Sequence, residues 1–359
     1  MKYRAVFYTR HEKKGASSRY RSIQYFDFLR ESGITIVHRP LFSDRYLTDK
    51  YQGKSIVHLV VYAYLKRLLS LVFELPFYKY VLVEKELFPY LPSWPDRFIC
   101  LAKSRVIYDF DDAIWMNYKG HANRFLRLLL SQKIEVIMRS ASLVCCGSHY
   151  ILEFAAAVGA KRTEFLPTVL CEGRYHGQKL SSHVSSIKPS IVWIGSPSTS
   201  NYIKRLFPVF KQLNKQYGVV VKVIGSNFAR QAQEDFLEII EWSSETEIEE
   251  MLACDIGVMP LPSDEFEKGK CAFKLIQYMG LALPVVASPV GENVYVVEEG
   301  VSGLLATDYS EWYESLELLI CDDRLRNEFG AAGYKRFLAS YTLDSVKQQY
   351  ISFFRDRAL

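Results

Sequence analysis

The feature that constrains this chain most is an alternation of strand-like and helix-like segments, running almost from end to end and interrupted once. Short β-rich runs at 3–8, 34–37, 80–83, 105–108 and 143–146 alternate with helical spacing at 17–31, 55–74 and 122–138. Within 17–31 the apolar residues Tyr20, Ile23, Phe26, Phe28 and Leu29 fall at helical intervals. A loop-like stretch at 171–189, rich in Gly, Ser and charged residues, then breaks the pattern and reads as a linker. The alternation restarts with strands at 190–194, 219–224, 255–259 and 285–287. Helices are predicted at 202–216, 246–253, 272–280, 311–319, 324–339 and 343–354. Such order argues for parallel sheets with helices on both faces, and for two successive α/β units. The 359 residues suffice for two cores. Ligands of such sheets bind beyond the carboxyl ends of the strands, so the residues just after each strand are the candidates. With two sheets, the expected place is a cleft where those ends face each other.

Composition removes several alternatives. Hydrophobic residues make up 49% and charged residues 24%, which excludes disordered and collagen-like chains. A formal net charge of +5 does not indicate an extended nucleic-acid footprint. The seven cysteines form no CxxC pair and no zinc-finger spacing with histidine, so reduced, mostly buried thiols are expected. Met1-Lys2-Tyr3-Arg4 precedes an apolar run too short for a secretory core, and Lys66 and Arg67 interrupt the longest apolar region. A cytoplasmic protein is therefore predicted.

The densest signal lies between Asp255 and Ala306. A strand opens into a Pro-rich turn, a Gly-Lys-rich loop and a helix start; a second strand and a loop with Ser288, Pro289 and Gly291 follow. Helix N-termini after such loops offer unpaired N–H groups and a positive dipole end, which suits phosphate, and Lys270 and Lys274 add charge there. Lys274-Leu275, Tyr278-Met279, Leu283-Pro284-Val285-Val286, Ser288, Gly291 and Glu299-Gly300-Val301-Ser302-Gly303-Leu304 resemble the donor-binding region of glycosyltransferase family 4. The resemblance extends over nearly the whole chain. It implies the GT-B fold, two Rossmann-like domains facing across a cleft. The first, 1–170, would bind the acceptor and the second, 171–340, the nucleotide-sugar; a final helix, 341–359, would return to the first.

The resemblance also implies site residues and an activity. Lys270, Cys271, Ala272, Phe273, Lys274 and Gln277 stand at the donor, as do Gly195 and Ser196 after the first strand of the second domain, Gly225 near the nucleotide base, and Gly15 in the first loop. Ser17, Arg19 and Asp112 stand on the acceptor side, and Ser148 matches a serine after a strand. The family's paired glutamates are replaced by Gly269 and Gln277, and its Arg and Lys after the first strand by Ser196 and Asn201. Gln277 still offers an amide for ribose hydroxyls, and Lys270 and Lys274 replace the missing cations. The implied reaction is retaining transfer from a UDP- or GDP-sugar to a polysaccharide or lipid-linked oligosaccharide, with no cofactor and no metal. An epimerase or hydrolase acting on nucleotide-sugar, or a non-catalytic partner subunit, are the alternatives.

Three residue-level readings complete the picture. Asp109-Phe110-Asp111 spells a DxD motif, but paired units of this kind handle a diphosphate with helix dipoles and cations, so the spelling reads as coincidence. Asp111 and Asp112, on an extended segment, are expected to point to opposite sides. The resemblance puts Asp111 where relatives hold a polar residue at the sugar, so Asp111, with Lys274, is expected to be catalytic, while Asp112 suits a cap on the following helix. Finally, 55–74 is either an amphipathic helix packed on the first sheet or one lying on an anionic membrane surface, at the inner face of the cytoplasmic membrane.

Overall fold

The computed structural model describes residues 3–103, 105–175, 189–226, 228 and 234–355. They form two compact units. The first takes the chain through Thr168, with Gly269–Cys271 and the residues from Val346 on; the second takes Val169–Lys268 and Ala272–Ser345. Most of the expected linker, 176–188, lies outside the described residues.

Each unit is built on a six-stranded parallel sheet. In the first, β1 (Tyr3–Tyr8), β2 (Ile34–His38), β3 (Tyr80–Glu84), β4 (Val106–Phe110), β5 (Leu143–Cys146) and β6 (Thr163–Phe165) lie in the order β2-β1-β3-β4-β5-β6. In the second, β7 (Ser190–Ile194), β8 (Val220–Ile224), β9 (Leu237–Ile240), β10 (Ile256–Met259), β11 (Val285–Ala287) and β12 (Gly303–Leu305) lie in the order β12-β11-β10-β7-β8-β9. The expected parallel α/β architecture is thus present twice. Three strands were not expected: β6, β9 and β12. All three are edge strands of three or four residues, only partly buried, so they lack the continuous apolar run that marks β3, β4 and β5.

The helices cover both faces. The chain moves one way from β1 to β2, then the other way through β3, β4, β5 and β6. Right-handed crossovers therefore put the helix between β1 and β2 on one face and the later crossovers on the other. Side chains alternate accordingly. Val6 and Tyr8 join the core cluster with Leu71, Ile99 and Ile134 from the later helices. Phe7 instead meets Phe26 and, from helix Leu343–Arg355, Phe354. Tyr350 of that last helix stacks on Tyr25 at 4.0 Å between ring centroids. Burying each such ring contributes about 1.5–3 kcal/mol, which anchors the C-terminal helix in the first unit.

The expected 17–31 helix is broken. Ala16–Arg21 and Phe26–Glu31 are joined by a 3-10 turn, because Ser22 leaves helical geometry at φ −133°. The 122–138 segment is likewise two helices, Arg124–Leu130 and Lys133–Ser140; Asn123 caps the first by accepting from Phe125 N and Leu126 N.

Candidate functional site

Strand order reverses between β1 and β3 in the first unit and between β7 and β10 in the second. Beyond the carboxyl ends at such a reversal the crossovers diverge and leave a crevice.

In the first unit the residues after β1, β3 and β4 form a charged cluster around Lys85. Its backbone is left-handed, φ +64°, and its side chain is only 8% exposed. The Lys85 ammonium lies 2.8 Å from an Asp111 carboxylate oxygen and 2.9 Å from one of Asp112. Burial alone would raise the Asp111 carboxyl, but the Lys85 ammonium and the Ser17 hydroxyl outweigh it and hold the group below its ordinary range. Lys85 is pushed up, the attraction of Asp111 and Asp112 overcoming its own burial. Lys270, which also belongs to the first unit, stands 3.8 Å from the other Asp112 oxygen.

This geometry corrects two expectations. Asp111 and Asp112 do not point to opposite sides; both reach Lys85. The strand ends at Phe110 and the two aspartates sit in a bend, where strand alternation no longer applies. Nor does Asp112 cap a helix: the next one, Trp115–Lys119, starts from Ile114 with no side-chain cap. Lys270 is correspondingly paired with a carboxylate.

Buried polar groups below hold this cluster in place. Glu84 accepts from Arg10 N at 3.0 Å and from the Ser18 hydroxyl at 2.6 Å, and Ser18 in turn accepts from His11 N. The loop after β1 is thereby pinned to the end of β3. Gly15 is required there, since a Cβ would stand 2.4 Å from the His11 Cβ. Burial, aided by Arg10 and Lys85, pushes His11 down to about 3, so its ring is neutral. Arg19 lays its guanidinium over the Tyr20 ring. Asp109, the first aspartate of Asp109-Phe110-Asp111, gives both oxygens to Arg21, which also donates to Leu166 O.

The segment Gly269–Cys271 packs against the end of β4. A Cβ on Gly269 would lie 2.5 Å from that of Ala113 and 2.7 Å from its nitrogen, so no glutamate fits at this position. The Gly269 carbonyl accepts from Ser148, which also caps helix His149–Ala157. The Cys271 thiol donates to Asp111 O.

Among the described residues, the second unit's reversal point is made chiefly of close backbone. Gly225, φ +83°, follows β8, and a Cβ on it would lie 2.2 Å from Gly195 O. Gly195 leaves room for the edge of the Trp193 ring, and the Ser196 hydroxyl bonds to that of Ser198 at 2.8 Å. Ala272, itself left-handed at φ +50°, starts helix Phe273–Gly280, and Lys274 on its first turn holds its ammonium 5.5 Å from the Trp193 ring centroid. Gln277 is buried and donates to the Tyr175 hydroxyl at 3.1 Å. Its amide thus braces the unit's interior, against the expectation of a ribose contact. Trp242 donates to Glu247.

Sequence reasoning brought Gly195, Ser196, Gly225 and Lys274 to one reversal point and Ser17 and Asp111 to the other. It missed Lys85, Glu84, Ser18 and Arg21. The available signal was Glu84-Lys85-Glu86, three charges directly after a fully apolar strand run in a parallel sheet. Among the described residues, no group of three or more His, Cys, Asp or Glu side chains is arranged to hold a metal ion.

Residues 188–322 match the family model described as Glycosyl transferases group 1. No curated protein matches the chain. Among solved structures, Alr3699/HepE from Anabaena, in complex with UDP and glucose, is 14% identical with a TM-score of 0.67, covering 99% of this chain and 100% of its own. Sucrose-phosphate synthase from Thermosynechococcus elongatus is 13% identical with a TM-score of 0.71, covering 99% and 98%. WaaG, a glycosyltransferase involved in lipopolysaccharide biosynthesis, is 12% identical with a TM-score of 0.66, covering 97% and 98%. Residues 188–322 are thus similar to the Glycosyl transferases group 1 model, on a chain with the GT-B fold of these structures.

Proposed function

We propose that this chain is a glycosyltransferase of the family 4 kind. It would move a sugar, with retention, from a UDP- or GDP-sugar to a polysaccharide or lipid-linked oligosaccharide in cell-surface glycan synthesis. The observation that carries the reading is the close backbone at Gly195 and Gly225 beside Lys274, within the segment that matches the family model. UDP and glucose in the Anabaena structure support the donor class, and the role of WaaG supports the acceptor class.

In this reading the donor diphosphate lies at the carboxyl ends of β7 and β10. Lys274 and the N-terminus of helix Phe273–Gly280 neutralise charge on the departing phosphate, with no metal or cofactor. Cys271 and Ala272 shape that helix start. The acceptor lies beyond β1, β3 and β4, between the Gly15–Arg19 loop and Asp111. Asp111, kept ionised by Lys85, orients a sugar or acceptor hydroxyl, and a donor phosphate oxygen takes the acceptor proton. A lipid-linked acceptor would bring the chain to the inner face of the cytoplasmic membrane, in contact through residues 55–74.

Product analysis with a panel of nucleotide-sugars tests this reading. Asp111→Ala should abolish most turnover and Asp111→Asn should lower it, both with nucleotide affinity unchanged. Free sugar released equally with and without acceptor would instead identify a hydrolase. Gly269 and the buried Gln277 favour one other reading, a partner subunit without catalysis, which predicts no nucleotide binding at all.

A further inference from the structure

Helix Val57–Phe73 is apolar outward as well as inward, where Val60, Ala63, Tyr64 and Leu71 pack on the core. Its fully buried residues are Ala63, Arg67, Ser70 and Leu71. Arg67 is buried and donates to the carbonyls of Thr9, Arg39 and Leu87, while Ser70 bonds to the Tyr8 hydroxyl and donates to Glu74. The outward face carries Val61, Leu65, Leu68, Leu69, Val72 and Phe73, all exposed. A solvated helix presents a polar outward face.

Two neighbouring helices share this property. Trp94–Ala102 buries Pro95, Asp96 and Ile99 and exposes Trp94, Phe98 and Leu101, the last at 84%. Arg124–Leu130 buries Leu130 and exposes Phe125, Leu128 and Leu129, with Leu128 at 82%. All three belong to the crossovers that follow β2, β3 and β4, hence to one face of the first unit's sheet. Contacts link them. Lys103 donates to Pro76 O, tying the end of the second helix to the segment after the first. Tyr64 donates to Pro89 O, the adjacent Tyr90 lies edge-on to His121, and His121 O accepts from Arg127 of the third.

Charge selects the occupant. Residues 51–73, 90–105 and 119–131 contain a single acid, Asp96, and it is buried. The exposed charges on these segments are Lys54, Lys66, Arg97, Lys119, Arg124 and Arg127. Exposed Tyr62, Tyr90 and Trp94 add rings that settle at a lipid–water boundary. Among the described residues no helix is long and apolar enough to cross a membrane.

We infer that these three helices form one docking surface for an anionic lipid bilayer, with Phe98, Leu101, Phe125 and Leu128 entering the interface and the basic side chains meeting headgroups. The surface extends well beyond the 55–74 segment and stands whichever sugar the protein transfers.

Co-sedimentation of the full chain with vesicles tests it, using phosphatidylcholine alone and phosphatidylcholine enriched in phosphatidylglycerol. Binding should favour the anionic vesicles and weaken with salt. Phe98→Ser/Leu101→Ser/Phe125→Ser/Leu128→Ser, whose side chains are exposed, should melt like the wild type and bind at least about tenfold more weakly. Lys66→Gln/Arg97→Gln/Arg124→Gln/Arg127→Gln should lose about fivefold per charge on anionic vesicles and little on neutral ones. Failure of the folded chain to bind either vesicle would overturn the inference. So would undiminished binding of the apolar variant. Concentration-dependent dimerisation that the apolar variant abolishes, without vesicle binding, would assign the surface to a second copy of the chain instead.

Discussion

The two reversal points share a topology and differ in substance. The first unit's is a network of buried charge: Lys85 between Asp111 and Asp112, with Glu84 and the Arg21–Asp109 pair beneath. The second unit's, among the described residues, is close backbone, with Gly225 against Gly195 and the Lys274 cation over Trp193. A sheet of this kind supplies a crevice in both cases, and the residues after the strands decide its chemistry. Charge held rigid in a low-dielectric pocket suits orienting a hydroxyl. Backbone that can be approached closely suits a flat base and a diphosphate.

The contrast breaks most severely at its foundation. Arg21→Met leaves Asp109 and Leu166 O buried without their cation, and should cost about 3–5 kcal/mol, read as a large fall in melting temperature. Lys85→Met strips Asp111 of its cation and leaves Asp112 only Lys270. Because Asp112 is 28% exposed and is relieved by water, the cost should be smaller, about 2–3 kcal/mol by denaturant titration. Asp112→Asn in the same background should recover part of it. An unchanged melting temperature in Lys85→Met would mean that the cluster is not the organising element claimed for it.

A smaller effect separates the units by pH. His11 and His38, both in the first unit, are held down at about 3 and about 4 by burial first and by neighbouring cations second. The unfolded chain titrates them at 6.5, so it binds more protons than the folded one between that value and the folded ones. Their contribution is complete above 6.5 and is lost as pH falls through this window. Asp111 acts in the same sense below its ordinary 3.8. Asp96, pushed up to about 6 by burial, acts in the opposite sense, but the two histidines outweigh it: acidification from neutrality to about 4.5 should lower the melting temperature, and His11→Gln should lessen the drop. An equal drop in the variant would place the proton uptake elsewhere.

Much of the frame was legible in the sequence. The buried strands announce themselves as apolar runs, while β6, β9 and β12 escape because an edge strand of three or four residues needs no such run. Gly195, Gly225 and Lys274 are visible because the segments that hold them resemble a known donor-binding region. Lys85 was hidden by its neighbours: its partners Asp111 and Asp112 lie on another strand's end, and no spacing along the chain encodes that meeting. The same cause misled the reading of the two aspartates, since alternation predicts opposite directions only while the strand continues.

In the proposed function, nucleotide is held by the second unit's reversal point and the first unit's charge cluster acts on something else. Calorimetric titration of UDP and GDP into the wild type, Lys274→Ala and Asp111→Asn tests it directly. One nucleotide should bind the wild type, and Lys274→Ala should weaken it by ~1.5–3 kcal/mol, roughly ten- to hundredfold. Asp111→Asn should bind as the wild type does. Loss of affinity in Asp111→Asn with none in Lys274→Ala, or no nucleotide binding to the folded wild type, would contradict it.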